Sequence, residues 1–220
     1  MPIPEKYTAD FVAGDFYHVY NRTNNKELLF LTDDNRMFFL KRFKEILSPF
    51  LETYCWCLLP NHFHILVRIK PENQIISFID QTSYVARTAA ERKFHDQLTT
   101  VNDLVIHEFK RFFQSYSLSF NKIHKRKGNL FYKSFKRVLI EKDSQLTMAL
   151  VYIHANAMKH NIVKDFMDYP WSSWQSIVSL GPTSLARTEV IDWFGSLQEC
   201  IKVHKTLSKY YYDCEISLED

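Results

Sequence analysis

The feature that most constrains this chain is a pair of strand-like runs, Glu52 to Leu59 (ETYCWCLL) and His62 to Ile69 (HFHILVRI), separated only by Pro60-Asn61. Two residues leave no room for a crossover, so the runs must pair as an antiparallel hairpin. Asp15 to Arg22 (DFYHVYNR) alternates aromatic or β-branched residues with polar ones and reads as another strand, as does the short Lys136 to Glu141 (KRVLIE). Between the first strand and the hairpin, Thr32 or Asp33 can cap a helix carrying Met37, Phe38, Leu40, Phe43, Ile46 and Leu47 at helical spacing, with Pro49 marking its end. This order predicts an α+β fold, a central antiparallel sheet with helices packed on one face.

The middle of the chain reads as mostly helical. Pro71 to Glu91 carries an apolar pattern at Ile75, Ile76, Phe78, Ile79 and Val85. After a polar break at Thr99-Thr100, Val101 to Asn121 continues with Phe109, Phe112, Phe113, Tyr116 and Phe120. Asp143 or Ser144 can cap a further helix to about His160, with Leu146, Ala149, Leu150, Ile153 and Ala157 as its buried stripe. Short helices are expected after Tyr169-Pro170-Trp171-Ser172-Ser173-Trp174, with Trp171 and Trp174 anchoring them to the core.

Composition narrows the function classes. Hydrophobic residues at 46% and aromatics at 15% exclude a disordered chain. The four scattered glycines cannot write a phosphate loop or a dinucleotide fingerprint, which disfavours nucleotide-driven chemistry. No apolar run approaches the ~20 residues a bilayer needs, and the N-terminus has no apolar signal core. Cys55, Cys57, Cys200 and Cys214 form no C-x-x-C and read as reduced thiols, so a cytoplasmic protein is expected.

Three constellations can carry chemistry. In His62-Phe63-His64, strand alternation points both imidazoles to one face, where they can converge on a metal ion. Tyr152 and Asn156 lie one helical turn apart, with Lys159 one turn further; His154 points roughly the opposite way and reads as a surface or structural histidine. Lys122 to Arg137 holds Lys122, Lys125, Arg126, Lys127, Lys133, Lys136 and Arg137 without one acid, interleaved with Phe131, Tyr132 and Phe135. A solvated charged face is the plainer reading, but cations among stacking rings suit phosphate neutralisation and base stacking better. With a net charge of only +3, distribution matters more than the total.

Taken in order, Tyr17-His18-Val19-Tyr20-Asn21-Arg22, Leu59-Pro60-Asn61-His62-Phe63-His64, Gly128-Asn129-Leu130-Phe131 and Tyr152-Ile153-His154-Ala155-Asn156 resemble the single-tyrosine HUH transposases, especially the REP-associated tyrosine transposase branch. The resemblance spans about Tyr17 to Trp174. One departure is Asn156-Ala157-Met158-Lys159, where the family often reads Asn-Pro-Val-Lys; losing the proline lengthens the helix and keeps the polar positions. The resemblance implies a ferredoxin-like, HUH-type sheet in a DNA-nicking domain over 1–180, with a helical insertion at about 71–121 and a C-terminal helical extension over 181–220. It implies a divalent ion, Mg2+ or Mn2+, on His62, His64 and Asn156, with Tyr152 attacking a scissile phosphate to give a 5′-phosphotyrosine. Single-stranded or hairpin DNA is the implied partner, held by Asn21, Arg22, Lys125, Arg126, Lys127, Lys133, Lys136, Arg137 and Lys159; a homodimer is compatible with it. Asn21 and Arg22 are equally explained as an exposed strand end, and His18 as a hydrogen-bonded sheet histidine. Two rivals stand: a catalytically idle DNA-binding protein of the same fold, and a zinc module using Cys55, Cys57, His62 and His64.

Overall fold

A computed structural model describes residues 5–132 and 134–213. Four strands, β1 (Phe16–Arg22), β2 (Leu51–Leu59), β3 (His62–Ile69) and β4 (Lys136–Ile140), form one antiparallel sheet in the order β2-β3-β1-β4. Helix α1 (Asp33–Leu47) joins β1 to β2. Helices α2 (Glu72–Gln81), α3 (Ala89–His95) and α4 (Val101–Ile123) lie between β3 and β4. Strand-helix-strand-strand-helix-strand connectivity with this order is the ferredoxin-like arrangement. After β4 come α5 (Asp143–Lys159), α6 (Trp174–Val178), α7 (Arg187–Trp193) and α8 (Leu197–Asp213).

Helices cover both faces of the sheet, not one as the element order predicts, because strand alternation gives each face an apolar core of its own. Val19, Phe63, Ile65 and Val67 pack with α1 and α4, where Phe39, Phe43, Phe109, Phe112 and Tyr116 fill the space with edge-on and tilted rings. Cys55, Cys57, Leu59 and Leu66 face the other way, against Leu150, Val151 and Ile153 of α5. An irregularity in β2 between Thr53 and Cys55 adds one residue to that strand.

The first half of the chain follows its sequence signals closely. Thr32 caps α1: its hydroxyl accepts from the Asn35 N–H while Asn35 Oδ1 accepts from the Thr32 N–H, satisfying two end donors reciprocally. The apolar pattern over Pro71 to Glu91 is not one helix. Helix α2 stops at Gln81, Val85 is 90% exposed, and α3 starts afresh behind Thr88, whose hydroxyl accepts from Glu91 N–H while Glu91 Oε2 accepts from Thr88 N–H. Thr88-x-x-Glu91 is a helix-start signature that overrides the continuing apolar pattern.

Helix α5 also departs from the expected stripe. Every residue from Ala149 to Met158 is buried, because the sheet covers one side and α8 with Phe166 and Trp174 covers the other. His154 is therefore not at the surface. It is fully buried, bonded to His204 Nε2 of α8 (3.1 Å) and to Ser173 Oγ (2.8 Å). Burial holds both histidines toward the neutral form, His204 pulled down to about 4 and His154 well below its ordinary value. Val190 and Cys200, beyond residue 180, share the α5 core. Among the described residues no helix is long and apolar enough to cross a membrane.

Candidate active site

The β1–β3 register places Tyr20 opposite His64 and Arg22 opposite His62, and the β1–β4 register places Lys136 opposite Tyr20. These side chains stand on the α5 face. Tyr152, on the helix that crosses this face, sets its ring edge-on to both His64 (6.2 Å between centroids) and His18 (6.0 Å). Sequence positions 18, 64 and 152 thus meet at one point. Lys159 Nζ lies 5.0 Å from the Tyr152 ring centre, one turn of α5 above Asn156, and Tyr152 itself is 1% exposed.

The polar atoms are ordered by their neighbours. His62 Nδ1 bonds Asn61 Oδ1 at 2.6 Å; an amide oxygen only accepts, so His62 Nδ1 donates, which leaves Nε2 unprotonated in the neutral ring. His64 Nδ1 shares a 2.9 Å hydrogen bond with His18 Nε2. Asn156 Nδ2 donates to the Tyr152 carbonyl at 3.0 Å, which turns Oδ1 away from its own helix. That oxygen is buried and has no hydrogen-bond partner among the described residues, a costly state for an amide carbonyl unless something binds it. Buried imidazole and an unanswered amide oxygen are a donor set that a divalent cation fits.

His160 joins the site although the sequence reading passed over it. Its ring meets His62 edge-on at 4.8 Å, and it is exposed. Its spacing was a signal: Tyr152, Asn156 and His160 are successive turns of one helix face. Asn156 lies between the ring that touches His64 and the ring that touches His62.

The cations expected to hold DNA separate into three groups. Lys125 and Lys127 are exposed on the loop after α4; Arg22 is exposed with its guanidinium 5.4 Å from the Tyr132 ring centre, and Lys136 lies 5.3 Å from the Tyr20 ring. A second group faces elsewhere. Asn21 is buried, on the α4 side of the sheet, where Oδ1 accepts from the Arg22 N–H; with Arg137, Lys110 and Gln114 it lines an open groove of about 620 Å³ beside Tyr132. Arg137 is half-buried between the Phe11 and Phe135 rings and donates Nε to the Ala9 carbonyl, and burial lowers its pKa. Arg126 forms the third. It pairs with Glu27 at 2.5 Å and donates to Asn121 Oδ1 and to the Gly128 and Asn129 carbonyls, so its donors are spent on the loop rather than on a phosphate. Lys133 lies outside the described residues.

The cysteines do not suit a zinc site. Cys55 and Cys57 are fully buried, and burial pushes both thiols well above the ordinary range, whereas zinc takes thiolates. Among the described residues no three His, Cys, Asp or Glu side chains are placed to hold a metal together, so the candidate set is two histidines and an amide.

No model of a known protein family matches the chain. A Haemophilus influenzae protein that carries the name REP-associated tyrosine transposase as a provisional assignment is 27% identical over 169 residues, 76% of this chain and 84% of that protein. A solved structure of a REP-associated tyrosine transposase bound to a REP hairpin superposes with a TM-score of 0.53, covering 84% of this chain and 92% of that one at 17% identity. The chain resembles the REP-associated tyrosine transposases in both sequence and fold.

Proposed function

We propose that this chain is a metal-dependent single-strand DNA transesterase that nicks and rejoins hairpin-forming DNA through a 5′-phosphotyrosine at Tyr152, as a transposase of the REP-associated type. The observation that carries the reading is the meeting of Tyr152, His64 and His62 on one sheet face with the buried Asn156 carbonyl oxygen unanswered beside them. The solved relative's hairpin ligand supports the DNA class.

The residues supply a complete exchange. The Tyr152 hydroxyl oxygen forms a bond to phosphorus while the bond to the 3′ oxygen breaks; the phenolic proton departs and the leaving oxygen ends as a 3′-OH. One phosphodiester replaces another, so the reverse attack by a 3′-OH regenerates the phenol without ATP. A phenol's ordinary pKa of about 10 means negative charge must be stabilised as it develops. Lys159 stands over the Tyr152 ring, its Nζ 5.0 Å from the ring centre, where its charge would stabilise negative charge developing at the phenol and the phosphate. His62, His64 and Asn156 would hold a divalent cation, whose chemistry when bound is to neutralise and polarise the scissile phosphate. Two imidazoles favour Mn2+ over the harder Mg2+.

Arg22, Lys125, Lys127 and Lys136 are positioned to neutralise phosphates, and Tyr132 offers an exposed ring for stacking. The test is incubation of the protein with a labelled hairpin bearing single-stranded flanks and Mn2+. Wild type is expected to form a covalent adduct, and Tyr152→Phe none, at nearly equal DNA affinity. An undiminished adduct in the variant overturns the assignment.

A further inference from the structure

We propose that His18 is the positioning residue of His64: it accepts the His64 Nδ1–H and thereby presents His64 Nε2 without a proton, ready to ligate. The inference deepens the function proposed above and rests on that reading for its purpose, but its geometry stands apart from it.

His18 and His64 sit on neighbouring strands, diagonal to one another, since His18 pairs in register with Leu66 and His64 with Tyr20. Their rings are nearly parallel, 5.1 Å apart at 29°, and His18 Nε2 lies 2.9 Å from His64 Nδ1. His18 is 4% exposed and His64 fully buried, so bulk water does not compete for this bond. Tyr20 stacks on the His18 ring (4.9 Å, 25°) and also on the His64 ring (5.4 Å, 23°), and Tyr152 abuts both. Packing from two sides fixes the ring planes; the hydrogen bond fixes where the proton is.

The proton arithmetic has two solutions for a neutral pair. Either His64 Nδ1 donates to His18 Nε2, or His18 Nε2 donates to His64 Nδ1. Only the first leaves a lone pair on His64 Nε2. In the second, His64 carries its proton on Nε2 and cannot bind a cation there. His62 shows the same arrangement made by a different partner, because Asn61 Oδ1 can only accept from His62 Nδ1. Each candidate ligand therefore has its own acceptor on Nδ1, one an amide and one an imidazole. Outer partners of this kind typically change metal affinity by about 10- to 100-fold when removed.

The test uses the metal-free full chain with nitrogen-15 labelled histidine, in which two-bond nitrogen-proton spectra report the tautomer of each ring. His64 is expected in the Nδ1–H form in wild type. His18→Phe, which keeps a ring between Tyr20 and Tyr152 but no acceptor, is expected to shift His64 toward the Nε2–H form. Its Mn2+ affinity, read by electron spin resonance of the unbound ion, should fall about 10- to 100-fold. His18→Gln places an amide oxygen near the same point and should restore both. A wild-type His64 in the Nε2–H form overturns the proposal, as does a folded His18→Phe with unchanged tautomer and Mn2+ affinity. If His18→Phe fails to fold, the wild-type spectrum and His18→Gln still decide. Wild type with the expected tautomer and no Mn2+ binding supports the His18–His64 pairing and overturns the metal centre instead.

Discussion

The two faces of the sheet are made from the same four strands and do opposite work. Toward α1 and α4, Phe39, Phe63, Phe109 and Phe112 close an aromatic core in which rings pack edge-on and tilted against one another. Toward α5, the neighbouring positions of β1 and β3 carry His18, Tyr20, His62 and His64, and the helix answers with Tyr152, Asn156 and His160. Alternation alone separates them: Phe63 points into one core and the histidines on either side of it into the other site. Burial of the aromatic face supplies stability that lets the other face hold polar atoms such as Asn156 Oδ1 without a protein partner. A sheet can be core and active site at once if the two roles are kept on opposite sides.

That division can be broken from either side. On the polar face, His62→Ala, His64→Ala and the double variant should each reduce the Mn2+-dependent cleavage rate by more than the roughly 10- to 100-fold an outer partner costs. They should be strongly non-additive, as residues acting as a unit are. Unfolding free energy should move little for His62→Ala and fall by about 1–3 kcal/mol for His64→Ala, which removes the buried 2.9 Å partner of His18 Nε2. Single losses that simply multiply would mean the histidines do not share one ion. On the aromatic face, Phe109→Ala should cost about 3–5 kcal/mol in urea unfolding, while the fraction still folded keeps its Mn2+ affinity. A loss of affinity without loss of stability would blur the two roles.

His154 sharpens the comparison, because it lies on the same helix as Tyr152 yet belongs to the structural side. His154→Ala should lower unfolding free energy by about 1–3 kcal/mol by removing the buried partner of His204 Nε2 and one of the two partners of Ser173 Oγ, which keeps the Trp56 N–H. The chemistry should survive in the folded fraction. The smallest effect is expected in the loop. Replacing Lys125 and Lys127 together by Ala should flatten the log-affinity against log-salt slope for single strands by about 1.4, taking roughly 0.7 for each phosphate contact. Arg126→Ala should leave that slope alone and lower the melting temperature, since its donors hold the loop. A slope change in Arg126→Ala would return that residue to the DNA.

Much of the fold was legible because short-range rules dictated it. The two-residue link at Pro60-Asn61 fixed the hairpin, and period-2 alternation put His62 and His64 on one face; the strands lie where the alternation placed them. The helix spacing of Tyr152 and Asn156 gave their shared face. What the sequence did not show was set by distant packing. His154 could be read as surface or structural but not as one of the two, because nothing local announces that α8 will lie across α5 and bury it. Arg126 looked like a phosphate ligand because a composition count cannot see that Glu27, Asn121 and two loop carbonyls take up its donors, nor that Arg137 lies half-buried between two rings with Nε on the Ala9 carbonyl. His160 was overlooked because it belongs to no motif: its spacing four residues after Asn156 was the one local signal, and the contact with His62 gives that spacing a meaning.

The central claim is that Tyr152 and no other tyrosine is the nucleophile, and covalent mapping tests it most directly. Wild-type protein is incubated with Mn2+ and a hairpin carrying single-stranded flanks, the DNA is trimmed with nuclease, and the peptides are sequenced by mass spectrometry. The account predicts a nucleotide phosphate on the peptide containing Tyr152. A phosphate on Tyr20, Tyr54 or Tyr132, or tight hairpin binding with no covalent product at any tyrosine, would contradict it.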